Sequence, residues 1–531
     1  MLRTEPMSRP AWLRFAIAAV LATLVGCTSL PMIDRQANAS LAIDLSVDTP
    51  LGAIARRSTP NDELSGFRLL PLGPYSLDAR LELVHRAKAS LDVQYYQFAD
   101  DETGRWLLRA LRDAAARGVR VRLLVDDLYT GGSDPLFLAF AAHDNVEVRL
   151  FNPFCCAREL GPIGRLLVSL AEFGRLNHRM HNKLFVADGA IGVIGGRNVA
   201  NAYFLRGAGE NFVDLDALTV GFVVSPLQFL FDRYWNSVAV YPLHAVAQPD
   251  QPPAQLRASF EAMTGPLTTP APPPLSQNDV LGYGPVGQEL DAGKLDLIWG
   301  DGRVFADHPD KPFDVEPGGA LAQTSVTYNL FETLRTARSE VVISSPYFVP
   351  GPISLEMMPS LRDRGVKVIV LTNSLASTDE PIVHAGYSRH REALLKMGVD
   401  LYELSGSRLK DNQRQYLFGK SLGRLHAKLA VIDGEQVFIG SMNLDPRSAT
   451  INTELGSITS SPSLARELRH IIDIDRLQSA YRLRLNPEGR CCEWLSNDGE
   501  KETILSEEPD STPWQRLKNW LLSPLVPEEQ I

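Results

Sequence analysis

The sequence is poor in cysteine and has no surplus of positive charge. Five cysteines in 531 residues exclude a fold held by a disulfide framework, and no His/Cys cluster has metal-ligand spacing, so we predict no bound metal. Acidic residues outnumber basic ones, 63 to 53, which argues against a partner such as nucleic acid, because phosphate binding normally needs extra Lys and Arg. What is present is an ordinary apolar fraction of 44%, enough for several full-sized cores.

The sequence also lacks an apolar run long enough to span a bilayer. Three arginines precede an apolar stretch over 15–25, about half of the roughly 20 residues that a spanning helix needs, and this order is typical of a secretory signal. The stretch ends in Leu-Val-Gly-Cys27, which resembles the bacterial lipobox. We therefore predict a lipoprotein signal with acylation of Cys27; an ordinary cleaved signal and an uncleaved anchor are the alternatives. Because Thr28 stands where aspartate would resemble an inner-membrane retention signal, we predict an outer-membrane lipoprotein that faces the periplasm.

The other four cysteines form two adjacent pairs, Cys155-Cys156 and Cys491-Cys492. Neighbours in sequence are poorly placed to bridge each other. A bridge between the pairs would suit an oxidising compartment, but buried small apolar side chains are the favoured interpretation.

A proline-rich run of turn-forming residues divides the chain near its middle, with the same order of elements on either side. Strands that alternate with helices favour mostly parallel sheets covered on both faces. The sequence therefore predicts a duplicated α/β fold whose two units meet as a pseudo-symmetric dimer. The predicted parts are the signal over 1–27, a tether over 28–60, the first unit over 61–246, a Pro-rich linker over 247–285, the second unit over 286–485 and a tail over 486–531.

The elements of the two halves can be matched one by one. In each half a helix ends at a glycine, Gly118 or Gly365, before a β-branched run, which is the usual exit from helix to strand. The first half is predicted to hold strands over 91–98, 119–125 and 146–151 and a helix over 107–117. The second is predicted to hold strands over 341–348, 366–371 and 399–404 and a helix over 353–364.

The tail contains an amphipathic segment over 513–522. This pattern predicts a helix that lies either on a membrane surface or against the body of the protein, and the second is favoured.

Two strings of residues recur with identical spacing, one in each half. A histidine and a lysine two residues apart are followed by an aspartate and then by two small residues and an asparagine. The first string comprises His181, Lys183, Asp188, Gly195, Gly196 and Asn198, and the second comprises His426, Lys428, Asp433, Gly440, Ser441 and Asn443. Two full matches in register within a duplicated scaffold leave little room for chance.

The strings carry groups suited to a phosphodiester. Alternation puts the histidine and lysine of each string on one face of a strand, and strands over 191–194 and 436–439 carry the small residues. Brought together across a two-fold axis, the lysines and asparagines would bind phosphate oxygens. One imidazole would form a covalent phosphohistidine and the other would protonate the departing oxygen. No metal or other cofactor is needed, because the lysines supply the charge.

Carboxylates are expected to fix the imidazole tautomers. Lining up the segments downstream of the strings selects Asp214 and Glu454 as these orienting groups. Asp188 and Asp433 are counted with the predicted catalytic set, although the glycine after each favours a structural role in the turn that follows the strand.

Several other polar residues stand apart from the strings. Tyr347 and Asn373 end predicted strands of the second unit, where α/β ligand sites collect, and are second-tier candidates. His178, His384 and His390 occur singly, so ordinary core or surface roles are favoured for them.

The paired strings resemble the phospholipase D superfamily, and further segments are similar to bacterial cardiolipin synthases of the C type over about residues 64–526. Those segments lie at 90–96, 149–154, 179–183, 195–198, 344–350, 371–375, 383–387 and 445–448. The resemblance implies a bilobal phospholipase D-like fold with both motifs at the interface of the halves. It also implies His181 as the nucleophile and His426 as the general acid/base, an assignment that the symmetry makes reversible.

The implied activity is phosphatidyl transfer at a membrane surface. A donor phospholipid, phosphatidylglycerol or phosphatidylethanolamine, would pass its phosphatidyl group through the enzyme histidine to a phosphatidylglycerol acceptor and yield cardiolipin. With water as acceptor the protein would instead be a phospholipase D that releases phosphatidic acid. A secreted phosphodiesterase or nuclease is disfavoured by the acidic charge and the predicted anchor, and an inactive lipid-binding lipoprotein by the two intact motifs.

Overall fold

The computed structural model describes the chain over 30–43, 48–156, 158, 164–165, 168–169, 171–275, 278–311, 323–411, 422–498 and 501–531. The predicted signal over 1–27, with Cys27, lies outside the described residues.

Strands and helices alternate through both halves of the chain. The strands are β1 Ser65–Leu70, β2 Ser90–Tyr95, β3 Arg120–Asp126, β4 Val146–Phe151, β5 Leu184–Ala187, β6 Ile191–Gly195, β7 Glu210–Val213, β8 Asp216–Gly221, β9 Val240–Pro242, β10 Ile298–Ala306, β11 Glu340–Ser344, β12 Lys367–Asn373, β13 Asp400–Leu404, β14 Leu422–Leu425, β15 Lys428–Ile432, β16 Gln436–Gly440, β17 Leu455–Ser460, β18 Ala480–Leu485, β19 Cys491–Asp498 and β20 Lys501–Leu505. The helices are α1 Pro50–Ser58, α2 Gly73–Arg86, α3 Glu102–Ala116, α4 Asp134–Ala141, α5 Phe173–Leu176, α6 Val224–Trp235, α7 Leu243–Val246, α8 Pro253–Thr264, α9 Val286–Ala292, α10 Val326–Arg335, α11 Pro352–Asp363, α12 Pro381–Ser388, α13 Arg391–Lys396, α14 Gly406–Asp411, α15 Pro446–Thr450, α16 Pro462–Ser479 and α17 Pro513–Leu522.

Local sequence accounts for the helix-to-strand units. Asp101 caps α3 by accepting a hydrogen bond from the Gly104 N–H at 3.0 Å, and the helix buries Leu107 and Leu111 on one face. The exits predicted from sequence are confirmed, since Gly118 and Gly365 have positive φ angles of 94° and 76° and so end α3 and α11 in a conformation that glycine adopts without strain.

The two units share one continuous sheet with pseudo-two-fold order. The first unit runs β9-β4-β3-β2-β5-β6-β8-β1, and the second runs β10-β17-β16-β15-β11-β12-β13-β18-β19-β20. Antiparallel pairing of β1 with β10 joins them, for example Gly66 opposite Trp299. The duplicated fold predicted from the sequence is therefore present, with a β19–β20 hairpin added to the second unit.

In each unit, the parallel part of the shared sheet is smaller than predicted. Parallel pairing links β2, β3 and β4 in the first unit and β11, β12 and β13 in the second. The remaining pairings of this sheet are antiparallel, including those around both motifs. The reason is connection length: helical crossovers produce parallel neighbours, whereas the tight turns after β5 and β15 produce hairpins.

Apolar side chains cover both faces of the sheet, and one cluster spans the two units. That cluster joins Phe67 and Leu215 of the first unit to Ile369, Leu404 and Ile471 of the second. The units are therefore fixed to one another by a shared core, and the site between them has a rigid frame.

The segments predicted as tether and linker are partly folded. α1 buries Leu51 and Ile54 in the first core, and Arg149 donates a hydrogen bond to the Asn38 carbonyl. In the proline-rich segment, α8 buries Phe260 beside Phe140, with ring centroids 5.7 Å apart. Periodicity missed these elements because each helix is short and buries only a few residues.

The tail helix predicted from its amphipathic pattern is present as α17. Thr512 and Gln515 form a capping box at its start. Within the described residues, no helix combines the length and apolar character needed to cross a membrane.

Candidate active site

A two-stranded parallel sheet with one strand from each unit positions His426 at the interface. β7 and β14 come from different units and pair in parallel, with Val213 opposite Leu425. The His426 N–H then donates to the Val213 carbonyl at 2.8 Å. Because Asp214 follows β7 directly, its Oδ2 lies 2.7 Å from His426 Nδ1.

A second contact between the units does the same for His181. Met180 pairs in parallel with Thr453, and the His181 N–H donates to the Thr453 carbonyl at 2.8 Å. The next residue, Glu454, places its Oε2 2.9 Å from His181 Nδ1. The structure thus brings the predicted orienting carboxylates to the histidines, and each imidazole is held by a carboxylate of the other unit.

Both motif lysines are buried beside their histidines. Lys183 Nζ donates to the His181 carbonyl at 2.7 Å, and Lys428 Nζ lies 3.0 Å from His426 Nδ1 and 3.2 Å from its Nε2. The sequence predicts the histidines within the strands, but they lie just before them, because β5 begins at Leu184 and β15 at Lys428; the backbone contacts with the other unit hold each histidine there. His181 and His426 are only 6% and 4% exposed.

The charges of the two half-sites act on one another. Burial, followed by the positive charges of Lys183 and Lys428, lowers the pKa of His181 well below its usual value, and His426 adds to the effect. Burial and Lys428 also lower the pKa of His426, but the Asp214 carboxylate opposes them. The coupling across the interface places both imidazoles in one electrostatic site.

The carboxylates and lysines are shifted too. Burial raises the pKa of Glu454 to about 7, against the opposing charge of Lys183. Burial also pushes the pKa of Asp214 upward, but the positive charges of His426 and Lys428 outweigh it and the net shift is downward. Burial lowers the pKa of Lys428 to about 8. Glu454 and Lys428 therefore change charge near neutral pH, whereas Asp214 stays ionised there.

The small residues of the strings make room for the orienting carboxylates. A side chain at Gly196 would collide with the Asp214 carboxylate. In the second unit Ser441 takes the equivalent place and donates its hydroxyl to Glu454. The small residues of the strings therefore leave space for a carboxylate of the protein itself.

The two asparagines differ in their partners. Asn198 Nδ2 donates to the Tyr203 hydroxyl at 2.9 Å, and its Oδ1 accepts from the Gln97 N–H at 3.2 Å. Asn443 Oδ1 is buried and has no hydrogen-bond partner in the part of the chain that the structure describes.

Aromatic rings outside the two strings line both imidazoles. Tyr96 packs edge-on against His181 at 4.9 Å between centroids. Tyr203 and Phe212 each lie 5.0 Å from the His426 ring, and the Tyr203 hydroxyl is 3.4 Å from His426 Nε2. Tyr96 falls in a segment similar to the family, whereas Tyr203 and Phe212 follow no spacing rule that could have indicated them.

Asp188 and Asp433 lie apart from the imidazoles. We therefore correct the prediction that placed them in the catalytic set. The Asp188 carboxylate accepts from the N–H groups of residues 88–90, and Asp433 accepts from those of residues 338–340. Both have positive φ angles, 50° and 54°. Each aspartate therefore fixes the loop that enters β2 or β11, rather than only its own turn.

The second-tier candidates lie beside His426. Asn373 donates to the Leu425 carbonyl and accepts from the Leu425 N–H, both at 2.9 Å, so it positions the residue before the histidine. Tyr347 donates to Asp379 Oδ2 at 2.7 Å, and its ring lies 6.0 Å from Lys428 Nζ.

The remaining histidines and cysteines lie outside the site. His384 contacts Arg391 at 3.1 Å, His390 contacts Glu528 at 3.0 Å, and His178 is half-buried before the first string. Cys491 and Cys492 are half-buried at the start of β19. Cys155 and Cys156 are half-buried and in no disulfide. Among the described residues, no group of three or more His, Cys, Asp or Glu side chains is arranged for a metal ion.

Comparison with known proteins identifies the family. The model described as cardiolipin synthase, PLD-like domain, matches residues 81–235 and 330–476. The chain belongs to this phospholipase D-like family. Cardiolipin synthase C of Escherichia coli (strain K12) is 39% identical over 469 residues, which cover 86% of this chain and 94% of the relative. Cardiolipin synthase 1 of Staphylococcus aureus (strain COL) is 24% identical over 403 residues, covering 76% and 65%.

A solved structure extends the likeness to the fold. Phosphatidylserine synthase of Haemophilus influenzae Rd KW20 superposes with a TM-score of 0.54, at 13% identity, over 89% of this chain and 96% of that one. The superfamily resemblance and the fold predicted from the sequence are thus confirmed. The protein is a phosphatidyltransferase enzyme of the phospholipase D type.

Proposed function

We propose that this enzyme makes cardiolipin by moving a phosphatidyl group from phosphatidylglycerol or phosphatidylethanolamine to a hydroxyl of phosphatidylglycerol. The observation that carries the proposal is the pair of buried histidines, each hydrogen-bonded to a carboxylate of the other unit. Similarity to the cardiolipin synthases of E. coli and S. aureus supports this choice of substrates.

His181 would be the nucleophile in the first step. Its Nδ1–H donates to Glu454, which leaves the Nε2 lone pair available. Burial and the neighbouring lysines lower its pKa well below the usual value, so it is neutral at pH 7. Nε2 attacks the donor phosphorus, a P–N bond forms, and the P–O bond to the departing alcohol breaks.

His426 would carry the proton in both steps. The Asp214 carboxylate stabilises its imidazolium form, which gives its proton to the departing oxygen. Neutral His426 then takes the proton of the acceptor hydroxyl, whose oxygen attacks phosphorus as the P–N bond breaks and His181 is released. The two steps leave both histidines as they began.

The lysines would stabilise the negative charge that develops on the phosphoryl oxygens. Lys183 and Lys428 are buried on opposite sides of the interface, where an ammonium group acts more strongly than in water. The amides of Asn198 and Asn443 would add neutral donors. This arrangement meets the charge requirement of the reaction with side chains of the protein alone.

For the location, we propose an outer-membrane lipoprotein acylated at Cys27 and facing the periplasm. The support is the basic start, the apolar stretch and the Leu-Val-Gly-Cys27 sequence. Growth with a radiolabelled fatty acid should label the protein but not its Cys27→Ala variant, and the label should follow the outer membrane on density separation. Equal labelling of the variant would contradict the acylation site.

The test of the activity is incubation of purified protein with phosphatidylglycerol, with and without phosphatidylethanolamine, followed by mass spectrometry of the lipids. Cardiolipin is expected, and isotopically labelled acyl chains in one lipid reveal the donor. Formation of phosphatidic acid without cardiolipin would show that the enzyme hydrolyses phospholipids instead of transferring the phosphatidyl group. Failure to turn over any lipid would overturn the proposal.

A further inference from the structure

The tail helix α17 turns its apolar stripe away from the protein. Trp514, Leu517 and Leu521 recur at helical spacing on one face, with Trp520 beside them. The two tryptophans are 68% and 71% exposed, and Leu525 just beyond the helix is 76% exposed. A helix that only docked on the body would bury such a stripe, whereas α17 buries no residue fully.

The opposite, more polar face holds α17 to the body. Asn519 Nδ2 donates to Ser388 Oγ at 3.5 Å, Ser523 Oγ donates to the Ala385 carbonyl at 3.1 Å, and Leu522 packs against the second core. The orientation of the exposed stripe is therefore fixed by contacts with α12.

α12, the helix that holds α17, begins beside the candidate active site. It starts two residues after Asp379, which accepts the Tyr347 hydroxyl beside Lys428. Beyond α17 the chain returns to the interface, where the Arg447 N–H donates to the Ile531 carbonyl at 3.0 Å. α12 is about 12 Å long at 1.5 Å per residue, so it links the contacts with α17 to the hydrogen bond between Asp379 and Tyr347.

We propose that the stripe of Trp514, Leu517, Trp520, Leu521 and Leu525 inserts into the surface of a phospholipid bilayer and so orients the active site toward its substrates. This inference rests on the proposed function for its purpose. Tryptophan is the side chain that favours the membrane–water interface.

The features around the stripe favour a bilayer over a protein partner. Lys518 flanks the apolar face on one side, as suits contact with anionic headgroups, and Arg516, which pairs with Glu507 at 2.8 Å, flanks it on the other. A ten-residue helix is too short to span a membrane. Five side chains are also far fewer than the roughly 20 per partner in a stable protein interface.

Quenching of tryptophan fluorescence by brominated lipid tests the insertion directly. The full chain is bound to vesicles of phosphatidylcholine and phosphatidylglycerol, with bromine on the acyl chains of the phosphatidylcholine, and compared with the double variant Trp514→Phe/Trp520→Phe. The difference in emission reports the two tail tryptophans even if an acyl anchor holds both proteins on the vesicle. We expect brominated lipid to reduce the emission of these two tryptophans, taken as the parent minus the double variant, at least twofold. Lack of quenching by lipid, with or without protection from aqueous iodide, would overturn the proposal.

A second measurement links insertion to turnover. Trp514→Ser/Trp520→Ser should lose about tenfold in activity on vesicles but keep its activity on a short-chain phospholipid dissolved as monomers. Phe229→Ser, which removes an exposed aromatic ring of α6 (67% exposed), is the matched control and should change neither. Equal losses on both substrates would overturn the orienting role. If the parent protein turned over no lipid, the proposed function would fail while the quenching result still decided the insertion.

Discussion

The two half-sites share one plan but differ in the acid that holds each imidazole. On one side Asp214 holds His426, and Gly196 leaves room for the carboxylate. On the other, Glu454 holds His181 and accepts a hydroxyl from Ser441. The pKa of Asp214 is lowered, whereas burial raises that of Glu454 to about 7.

This difference shows how a duplicated fold can give two matching histidines separate tasks. The ionised Asp214 favours a proton on His426, as a general acid needs. The less acidic Glu454 and three nearby positive charges favour neutral His181, as a nucleophile needs. The duplicated fold places the two histidines equivalently, and a few neighbouring side chains give one the role of general acid and the other the role of nucleophile.

The largest effect should come from the histidines themselves. His181→Ala and His426→Ala are each expected to lower turnover of a natural phospholipid by about 10⁴-fold or more, because each removes a group that bonds to phosphorus or carries the proton. Lipid mass spectrometry measures the product. The double variant should be no worse than either single one, and additive losses would contradict a single shared site.

Glu454→Gln is expected to lower turnover by about 10²–10³-fold, because the amide cannot stabilise charge on His181 as a carboxylate does. In the parent, activity should rise with pH through about 7, as Glu454 loses its proton, and fall above about 8, as Lys428 loses its charge. The variant should lack the rise. An unchanged acidic limb would show that another group titrates there.

Asp214→Asn should cause a similar loss of about 10²-fold but a different pH profile. Without the Asp214 charge the pKa values of His426 and Lys428 both fall further, so the decline in kcat that follows the Lys428 charge should move to lower pH. If both carboxylate variants gave the same profile, the proposed division of tasks would be wrong.

Tyr203→Phe should have a smaller effect, about tenfold on kcat. The hydroxyl contacts both Asn198 and His426 Nε2, while the ring that packs on His426 is kept. Tyr95→Phe is a suitable control, because its hydroxyl accepts from Arg80 rather than from a motif residue.

Asp188→Ala and Asp433→Ala should change kcat least, within about threefold, because their carboxylates bind backbone N–H groups away from the imidazoles. Both should lower the free energy of unfolding by about 1–3 kcal/mol, with the larger loss at Asp188, which is the more buried. Urea unfolding measures this. A loss of turnover without a loss of stability would show that these aspartates take part in the catalytic reaction.

The sequence alone overestimates how much of the sheet is parallel, but it predicts the repeat, the three parallel strands at the centre of each unit and the six residues that meet at the imidazoles. Local patterns suffice there, because strand alternation and motif spacing are short-range properties. Pairing of β1 with β10 and of β7 with β14 joins residues more than 200 positions apart. No periodicity carries that information, so the exchange of carboxylates between units and the role of Tyr203 emerge only from the fold.

The covalent phosphohistidine proposed on His181 can be trapped and measured directly. His426→Ala is mixed with a phosphatidyl ester of nitrophenol, a leaving group that needs no acid, and the protein is digested and analysed by mass spectrometry. A phosphatidyl adduct is expected on the peptide that contains His181, and no adduct is expected in His181→Ala. An adduct elsewhere, or release of nitrophenol without any adduct, would contradict this mechanism.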